Sequence, residues 1–358
     1  MKNKILILTA IVMFVGASVT SGISANIKDT NSFSPLAKGY IYVDDDFNES
    51  TPGWNVTHFN KIQDGVDAAV NFDTVFVYNG TYNENVKIGT LVTEKKIDLI
   101  GEDRDNVFIL GVTGEDAVVT VSSSDVEVNG FTIDGDSGAL EGIRVSGGKQ
   151  DNILTNNRIT DCSKGVSLKP LTKRIEISDN IISNSEFAGI ELQESDQNDI
   201  INNKAIQNNV GIQLSTASSQ NSIEDNTVSN NDREGIILEG ISNDNTLTGN
   251  NVTNNRGGVK LSSSKINTIT SNNIQDNDME GLLISLSNNN VIEKNNFINN
   301  KKQAAFKISW RNSWDENYWD NWIGLKINKT IFQKAPKVIR GIIRINFDWH
   351  PASVPYAI

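Results

Sequence analysis

The chain has 358 residues, and its 44 acidic and 32 basic residues give a formal net charge of −12. A chain this acidic lacks the positively charged surface that binds nucleic acid, so nucleic acid is excluded as a partner. The single cysteine, Cys162, excludes an intramolecular disulfide, and we expect it at a small position in the core or in a turn.

The amino terminus has the pattern of a secretory signal peptide, which we predict over residues 1–25. Lys2 and Lys4 precede an apolar run at 5–15, and small residues follow. The apolar run is short for a membrane span, so we expect contact with a membrane only if this segment is not cleaved. We predict a secreted or cell-surface protein, and a monomer, in which residues 26–39 form a linker.

The next segment, residues 40–100, is predicted to form an N-terminal cap and the first coils of the fold. Its pattern predicts a strand at 40–43, a short amphipathic helix at 60–70 and strands at 74–78 and 82–88.

A repeat of about 23 residues dominates residues 101–310. A glycine followed by an apolar residue recurs as Gly142-Ile143, Gly165-Val166, Gly189-Ile190, Gly211-Ile212, Gly235-Ile236, Gly258-Val259 and Gly281-Leu282, with Ala305-Phe306 as an eighth member. The alternation of apolar and polar residues after each glycine predicts a short strand with one buried face. Because equivalent strands return once per repeat, they run parallel, and the sequence predicts an all-β solenoid of about ten coils.

Asparagines recur in two further registers of the same period. The first comprises Asn157, Asn180, Asn203, Asn226, Asn250, Asn272 and Asn295, and the second Asn198, Asn221, Asn245, Asn267 and Asn290. Asparagine tolerates the left-handed backbone conformation of tight turns, and the amides of stacked coils can bond one another. We therefore interpret both registers as structural.

The outward positions of the strands are where chemistry would lie. In a strand of the form Gly-Ile-x-Leu-x, the Ile and Leu side chains face inward and both x side chains face outward. We predict a first outward column of Arg144, Ser167, Glu191, Gln213, Ile237, Lys260, Leu283 and Lys307, and a second of Ser146, Lys169, Gln193, Ser215, Glu239, Ser262, Ser285 and Ser309. A third set, Glu141, Glu234 and Glu280, precedes the strand glycine and is expected in turns, with no two members on adjacent rungs.

Residues 311–358 are predicted to form a C-terminal cap, because an open end of a solenoid would expose apolar core and unpaired strand edges. Five of the six tryptophans lie in or beside this segment: Trp310, Trp314, Trp319, Trp322 and Trp349. Buried, these rings would seal the last coil. Exposed, the rings of Trp310, Trp314, Trp319 and Trp322 would form a platform for stacking sugar faces. The basic, β-prone stretch 324–346 is expected to add one or two strands.

Three stretches of the chain resemble a known group of proteins. Residues 73–86, after the predicted helix, are similar to the entry segment of many right-handed parallel β-helix proteins of the pectin-lyase-like superfamily. The Asn and Gly-Ile repeats resemble those of the NosD-type family, also called carbohydrate-binding and sugar-hydrolase modules, and Asn317-Tyr-Trp-Asp-Asn321 resembles its closing motif. The resemblance covers residues 40 to about 322 and implies a right-handed parallel β-helix. It leaves function open, since such proteins include lyases, hydrolases, epimerases and surface proteins. The segment 346–351 departs from the family's Gly/Asp-rich ending.

The resemblance implies that an enzyme of this type would work on the outward strand face. Arg144, Lys169 and Glu191 lie on three successive rungs, where a lyase would need a basic proton acceptor and calcium held by carboxylates. Only one of the three is a carboxylate, whereas calcium takes several oxygen ligands. Glu191 and Glu239, the pair that a hydrolase would use, lie two rungs apart, about 10 Å along the axis.

The sequence predicts no metal site. Asp44, Asp45 and Asp46 form an acidic run without EF-hand spacing, so calcium is compatible with the chain but not indicated by it. Copper requires clustered His, Met or Cys ligands. His58, Met279 and Cys162 are scattered along the mature chain, and a second histidine, His350, belongs to the opposite cap. The pattern therefore argues against copper.

We conclude from the sequence that the protein is a non-catalytic binding or structural module that faces carbohydrate, such as a polysaccharide or a cell-surface glycan. The alternative is a calcium-assisted polysaccharide lyase, a glycoside hydrolase or an epimerase that uses the outward strand groove. A cluster of three or more carboxylates with a basic residue in one groove would favour the alternative. Whether the protein is an enzyme stays open, and the binding function requires no cofactor.

Overall fold

The computed structural model describes residues 38–90, 92–135, 140–322, 325–327, 330–332, 336–341 and 345–358. The predicted signal peptide, and the linker up to residue 37, lie outside these residues. Within the described chain one α-helix forms, α1 (Ile62–Ala68), and no helix there has the length and apolarity of a membrane span.

Three parallel sheets, I, II and III, contain most strands of the described chain. Sheet I comprises, in spatial order, β2 (His58–Phe59), β1 (Tyr40–Val43), β3 (Thr74–Val77), β6 (Asp98–Gly101), β9 (Glu127–Asn129), β12 (Ile153–Thr155), β15 (Glu176–Ser178), β18 (Asp199–Ile201), β21 (Ser222–Glu224), β24 (Thr246–Thr248), β27 (Thr268–Thr270), β30 (Val291–Glu293) and β33 (Ser313–Asp315). Sheet II comprises β4 (Gly80–Asn83), β7 (Val107–Leu110), β10 (Thr132–Asp134), β13 (Arg158–Thr160), β16 (Ile181–Ser183), β19 (Lys204–Ile206), β22 (Thr227–Ser229), β25 (Asn251–Thr253), β28 (Asn273–Gln275), β31 (Asn296–Ile298) and β34 (Tyr318–Trp319).

Sheet III presents the strands that begin at or just before the repeat glycines. It comprises β5 (Val86–Ile88), β8 (Ala117–Val121), β11 (Glu141–Val145), β14 (Lys164–Leu168), β17 (Ala188–Gln193), β20 (Val210–Ser215), β23 (Glu234–Glu239), β26 (Gly257–Ser262), β29 (Glu280–Ser285) and β32 (Lys302–Lys307). Every third strand along the chain joins the same sheet, so each coil gives one strand to each sheet. The predicted all-β solenoid of about ten coils of about 23 residues is confirmed.

The inward and outward faces of sheet III follow the predicted alternation. Ile190 and Leu192 of β17 are fully buried, while Glu191 between them faces outward and is partly exposed. Each buried Ile or Leu stabilises the fold by about 1.5–3 kcal/mol relative to the exposed side chain. Cys162 is also fully buried, as expected, and its thiol donates to the Thr160 carbonyl oxygen at 3.0 Å.

The predicted register is wrong at the last rung of sheet III. Ala304, not Phe306, pairs with Leu282, and Phe306 pairs with Ile284. Lys307 therefore lies beside Ser285 in the second outward column, and Ala305 occupies the position in the first column that was predicted for Lys307. Ser309 lies beyond the strand and is buried. A shift of two residues keeps every side chain on its original face, so alternation alone cannot detect it.

The asparagine registers form ladders along the solenoid axis. The backbone N–H and the side-chain amide of Asn180 both donate to Asn203 Oδ1, each at 3.0 Å. The first ladder runs through Asn157, Asn180, Asn203, Asn226, Asn250, Asn272, Asn295 and Asn317. The second extends from Asn198 to Asn312, and a third, not predicted, links Asn208, Asn231, Asn255, Asn277 and Asn300. The structural interpretation of these amides is confirmed.

Both ends of the solenoid carry additional structure. At the N-terminal end, α1 packs Ile62 and Val66 onto the first coil, and the Glu84 carboxylate accepts the N–H groups of Ile62 and Gln63 at 2.8 and 2.9 Å. The strand predicted at 82–88 is instead two strands, β4 and β5, because the chain turns a corner between sheets there.

At the C-terminal end the described chain adds two antiparallel hairpins, formed by β35 (Leu325–Ile327) with β36 (Thr330–Phe332) and by β37 (Lys337–Arg340) with β38 (Ile345–Asp348).

Candidate functional site

The outer face of sheet III has three outward positions per strand rather than the two predicted. The strands begin one residue before the repeat glycine, so Glu141, Glu234 and Glu280 are the first residues of β11, β23 and β29. Their expected place in turns is wrong. Because they lie in strands, their carboxylates flank the predicted first column. As expected, no two of the three are on adjacent strands.

A charge network covers the N-terminal half of this face. Glu141 Oε2 accepts from Arg144 Nε at 2.7 Å, and its Oε1 accepts from Lys169 Nζ at 2.7 Å. Arg144 Nη1 also donates to Asp116 Oδ2 at 2.6 Å. A separate ion pair joins Lys164 and Glu191. The three candidates Arg144, Lys169 and Glu191 thus lie near one another, but Glu191 is bound to a different cation.

The protonation of this network opposes the lyase mechanism that the sequence left open. Burial acts to raise the pKa of Glu141, but its bonds to Arg144 and Lys169 outweigh this and hold the pKa below its ordinary value. Burial acts to lower the pKa of Arg144, but the bond to the Glu141 carboxylate raises it. The net result is a pKa above the ordinary value. A guanidinium stabilised in this way is a poor proton acceptor. Glu141 is also 9% exposed with both oxygens occupied, which leaves it unsuited to bind calcium.

The fold does not bring together the carboxylates of Glu191 and Glu239, the pair that a hydrolase would use. Glu191 lies on β17 and Glu239 on β23, with β20 between them. Glu239 Oε1 accepts from Gln213 Nε2 at 2.9 Å, whereas Glu191 is paired with Lys164. The two carboxylates belong to different columns and have separate partners.

The C-terminal half of the face contains a cavity of about 320 Å³, which we call the Gly257 cleft. Its polar lining consists of Arg233, Glu234, Arg256, Lys260, Glu280 and Lys307, with Met279 and Leu283 as apolar neighbours. Gly257 pairs with Glu234 and precedes Glu280 in the same outward column. A Cβ added at Gly257 would lie 3.2 Å from Glu234 Cγ, so the missing side chain opens the space between the two glutamates.

Cations outnumber carboxylates in the Gly257 cleft. Glu234 is the only acid there with a cation partner in the described chain, through Lys260 at 3.5 Å and Arg233 at 3.7 Å. Within the described residues, Arg256 and Lys307 lie on the exposed surface without a carboxylate partner. The cleft is therefore locally positive on a protein whose net charge is −12.

The tryptophans of the C-terminal end are divided between core and surface. Trp314 and Trp319 are 3% and 1% exposed, and Trp319 stacks on Phe297 with a centroid distance of 4.4 Å. These two rings cannot present a face to a sugar, and the stacking role proposed for them is wrong. Trp322 packs partly buried against the core, while Trp310 remains 45% exposed.

The potential metal ligands lie far apart, except for one run of three consecutive aspartates. In the part of the chain that the structure describes, Asp44, Asp45 and Asp46 are the only His, Cys, Asp or Glu residues grouped closely enough to hold an ion. His58 stacks on Tyr42 at the N-terminal end, and His350 bonds Asp315 at 2.7 Å at the other end.

The cleft itself was not predicted, and Arg233, Arg256 and Gly257 were missed, because the glycine that opens the cleft precedes the repeat glycine. The signal was present in the sequence, since Arg233-Glu234 and Arg256-Gly257 occupy equivalent places in successive repeats. Lys164 was missed for the same reason, since the third outward position was not assigned to the strand. Asp116 lies just before β8, outside the predicted columns.

Comparisons with known proteins agree with this architecture. Residues 104–252 match the right-handed β-helix region family, and residues 214–324 match the family described as periplasmic copper-binding protein NosD. No curated protein sequence matches significantly.

Solved structures similar to this chain share its fold at low sequence identity. The A-module of the Azotobacter vinelandii mannuronan C-5 epimerase AlgE4 is 17% identical, with a TM-score of 0.65 over 77% of this chain and 87% of that one. The Dettilon tailspike protein is 15% identical, with a TM-score of 0.60 over 77% and 62%. DFA-IIIase from Arthrobacter chlorophenolicus A6 is 12% identical, with a TM-score of 0.57 over 77% and 93%. The chain therefore has the right-handed parallel β-helix fold, with a match to the right-handed β-helix region family over residues 104–252 and to the NosD family over residues 214–324.

Proposed function

We propose that this is a secreted or cell-surface protein that binds an acidic polysaccharide along the outer face of sheet III, with the Gly257 cleft as its main subsite. The observation that carries the proposal is the pair of unmatched cations, Arg256 and Lys307, which line a cleft on an otherwise acidic protein. A cation without an internal partner is available to an anionic ligand.

The shape and charge of the face suit a linear polyanion. Strands stack at about 4.8 Å, so ten strands present a surface of roughly 45 Å along the axis, long enough for several sugar units. An arginine can bind a carboxylate through two parallel hydrogen bonds, and a lysine adds a point charge. Because Arg256 and Lys307 are exposed, the attraction is screened by salt, and binding should weaken as ionic strength rises.

One of the similar structures supports a carbohydrate ligand in general terms, since it is named as a mannuronan C-5 epimerase. At 17% identity it shares the fold with this chain, and the choice of an acidic polymer rests on the cleft.

The experiment measures binding of polygalacturonate and alginate oligosaccharides to the mature protein by calorimetry. We expect Arg256→Ala with Lys307→Ala to weaken binding at least tenfold. The matched control is Arg158→Ala with Lys204→Ala, one arginine and one lysine on sheet II, and it should bind as the parent does. Equal affinity of both double variants, or no binding of any acidic oligosaccharide by folded protein, would overturn the proposal.

Hydrolysis is a second candidate function, favoured by the positions of Glu234 and Glu280. They occupy one column two strands apart, about 10 Å between backbones, with the open space at Gly257 between them. Flexible side chains can bring two carboxyl groups to the 6.5–9.5 Å separation of inverting glycosidases, roughly the room that a water molecule needs.

A turnover assay separates the second candidate from binding alone. Acidic and neutral polysaccharides would be incubated with the protein while reducing ends and the ultraviolet absorbance of unsaturated products are followed. Glu234→Gln and Glu280→Gln should each abolish the release of reducing ends if hydrolysis occurs. Silence of the parent protein across the panel, with binding intact, would exclude the enzyme.

A further inference from the structure

A cluster of aromatic rings lies far from the Gly257 cleft, on the outer face of sheet I at the N-terminal end. Its members, which we call the ring platform, are Tyr40, Tyr42, Phe47, His58, Phe76 and Tyr78. Tyr40 is 51% exposed, and the other five are partly exposed. Rings of this size normally bury most of their surface, so a partly open group is a feature that calls for a ligand.

Strand alternation places these rings on one face. In β1 the side chains of Ile41 and Val43 are buried in the core, which directs Tyr40 and Tyr42 outward. Because β1 lies between β2 and β3, Tyr42 pairs in register with His58 on one side and with Phe76 on the other. Phe47 then folds back from the loop after β1 onto His58.

The rings at the centre of the platform are nearly parallel and overlap one another in part. Tyr42 stacks with Tyr40, His58 and Tyr78 at centroid distances of 6.2, 5.1 and 6.3 Å and interplanar angles of 16°, 29° and 21°. Phe76 and Phe47 meet Tyr78 edge-on at 5.1 and 6.1 Å, which fixes the orientation of its ring. The tyrosines are therefore held by their neighbours before any ligand arrives, and little side-chain entropy remains to be lost on binding.

The rim of the platform is acidic. Asp44, Asp45 and Asp46 directly follow β1, and the Glu102 carboxylate accepts the N–H of Asn79, next to Tyr78, at 3.1 Å. None of these four carboxylates has a cation partner within the described residues. Carboxylates are strong acceptors for hydroxyl groups and repel other anions. The rim is thus opposite in charge to the Gly257 cleft.

We propose that the ring platform is a second glycan site, which takes a neutral hexopyranose chain. The apolar C–H faces of such sugars can pack on the exposed parts of these rings, above all on Tyr40, and their hydroxyl groups can donate to the rim carboxylates. The acidic rim excludes uronate and sulfate polymers by charge. The protein would then hold a neutral chain at one end of the solenoid and an acidic chain on another face.

The test measures binding of cellohexaose, mannohexaose and laminarihexaose to the mature protein by calorimetry. At least one of these probes should bind, and Tyr42→Ala and Tyr78→Ala should each weaken it at least tenfold while the melting temperature stays close to that of the parent. Phe187→Ala is the matched control, since this ring is 59% exposed and directly precedes β17, without a ring neighbour in the described chain. That variant should bind the probe as the parent does.

The outcomes distinguish this site from the proposed acidic one. The double variant at Arg256 and Lys307 should retain the neutral probe, so failure of either proposal leaves the other standing. No binding of any neutral hexasaccharide, full binding by both tyrosine variants, or preference for an oligolysine peptide over all three sugars would overturn the neutral-glycan proposal.

Discussion

Asn317 donates both its backbone N–H and its side-chain amide to Asp348 Oδ2, at 3.0 and 3.1 Å. The carboxylate takes the position that the next asparagine of the ladder would occupy. The same oxygen accepts the indole N–H of Trp319 at 2.9 Å. The last rung of the first ladder is thus satisfied by a residue of the cap hairpin, about thirty positions further along the chain.

Replacing Asp348 should loosen the C-terminal end of the solenoid. Asp348→Ala leaves the Asn317 backbone N–H and the Trp319 indole N–H without an acceptor, each worth about 1–3 kcal/mol, so we expect opening of the last coil to become easier by about 2 kcal/mol or more. The Asn317 side-chain amide keeps its bonds to the Ile292 and Asp315 carbonyl oxygens. Asp348→Asn keeps an acceptor oxygen and should cost about 1 kcal/mol. Hydrogen exchange of the amides around Asn317 measures both effects, and equal protection in the two variants would contradict this role.

The inward column of sheet III should not tolerate a charge. Ile190→Asp buries a carboxylate without a partner, and because coils contact only their neighbours it should unfold the adjacent coils as well. Ile201→Asp is the matched control, since Ile201 faces outward on β18. Thermal melting followed by circular dichroism should show a large loss for the first variant and a small one for the second. A normal melt for Ile190→Asp would refute the inward assignment.

Acid should weaken the charge network through Glu141. Its pKa is lowered in the folded protein below the ordinary value of 4.5, so its contribution to stability is complete above that value and is lost as pH falls through the lower, folded pKa. Glu141→Gln should cost about 1–3 kcal/mol at neutral pH and flatten the dependence in acid. Urea midpoints between about pH 3 and 7 test this, with Glu186→Gln, an exposed residue outside the network, as control. Parallel pH profiles for parent and Glu141→Gln would disprove the linkage.

The repeat allowed much of the fold to be predicted from the sequence. A glycine and two apolar residues per repeat define which side chains of sheet III are buried, and Ile143 and Val145 follow that rule with no exposed surface. Two of the asparagine ladders were predicted because their spacing equals that of the glycines. The third ladder, from Asn208 to Asn300, has the same spacing and was overlooked.

Features outside that period were harder to predict. The slip of two residues at Phe306 conserves the alternation, so the alternation does not reveal it. The Gly257 cleft depends on a side chain that is absent. The ring platform depends on residues from three strands and a loop and leaves no periodic trace.

The ladders also make the coil a unit that can be added or removed. Their bonds join equivalent asparagines across separations of 22, 23 and 24 residues alike, as the Asn203, Asn226 and Asn250 links show. A coil duplicated within the stack would meet the same partners above and below as its parent. The solenoid can therefore lengthen in evolution by whole coils, and the length of sheet III can change while the structures at the two ends stay as they are.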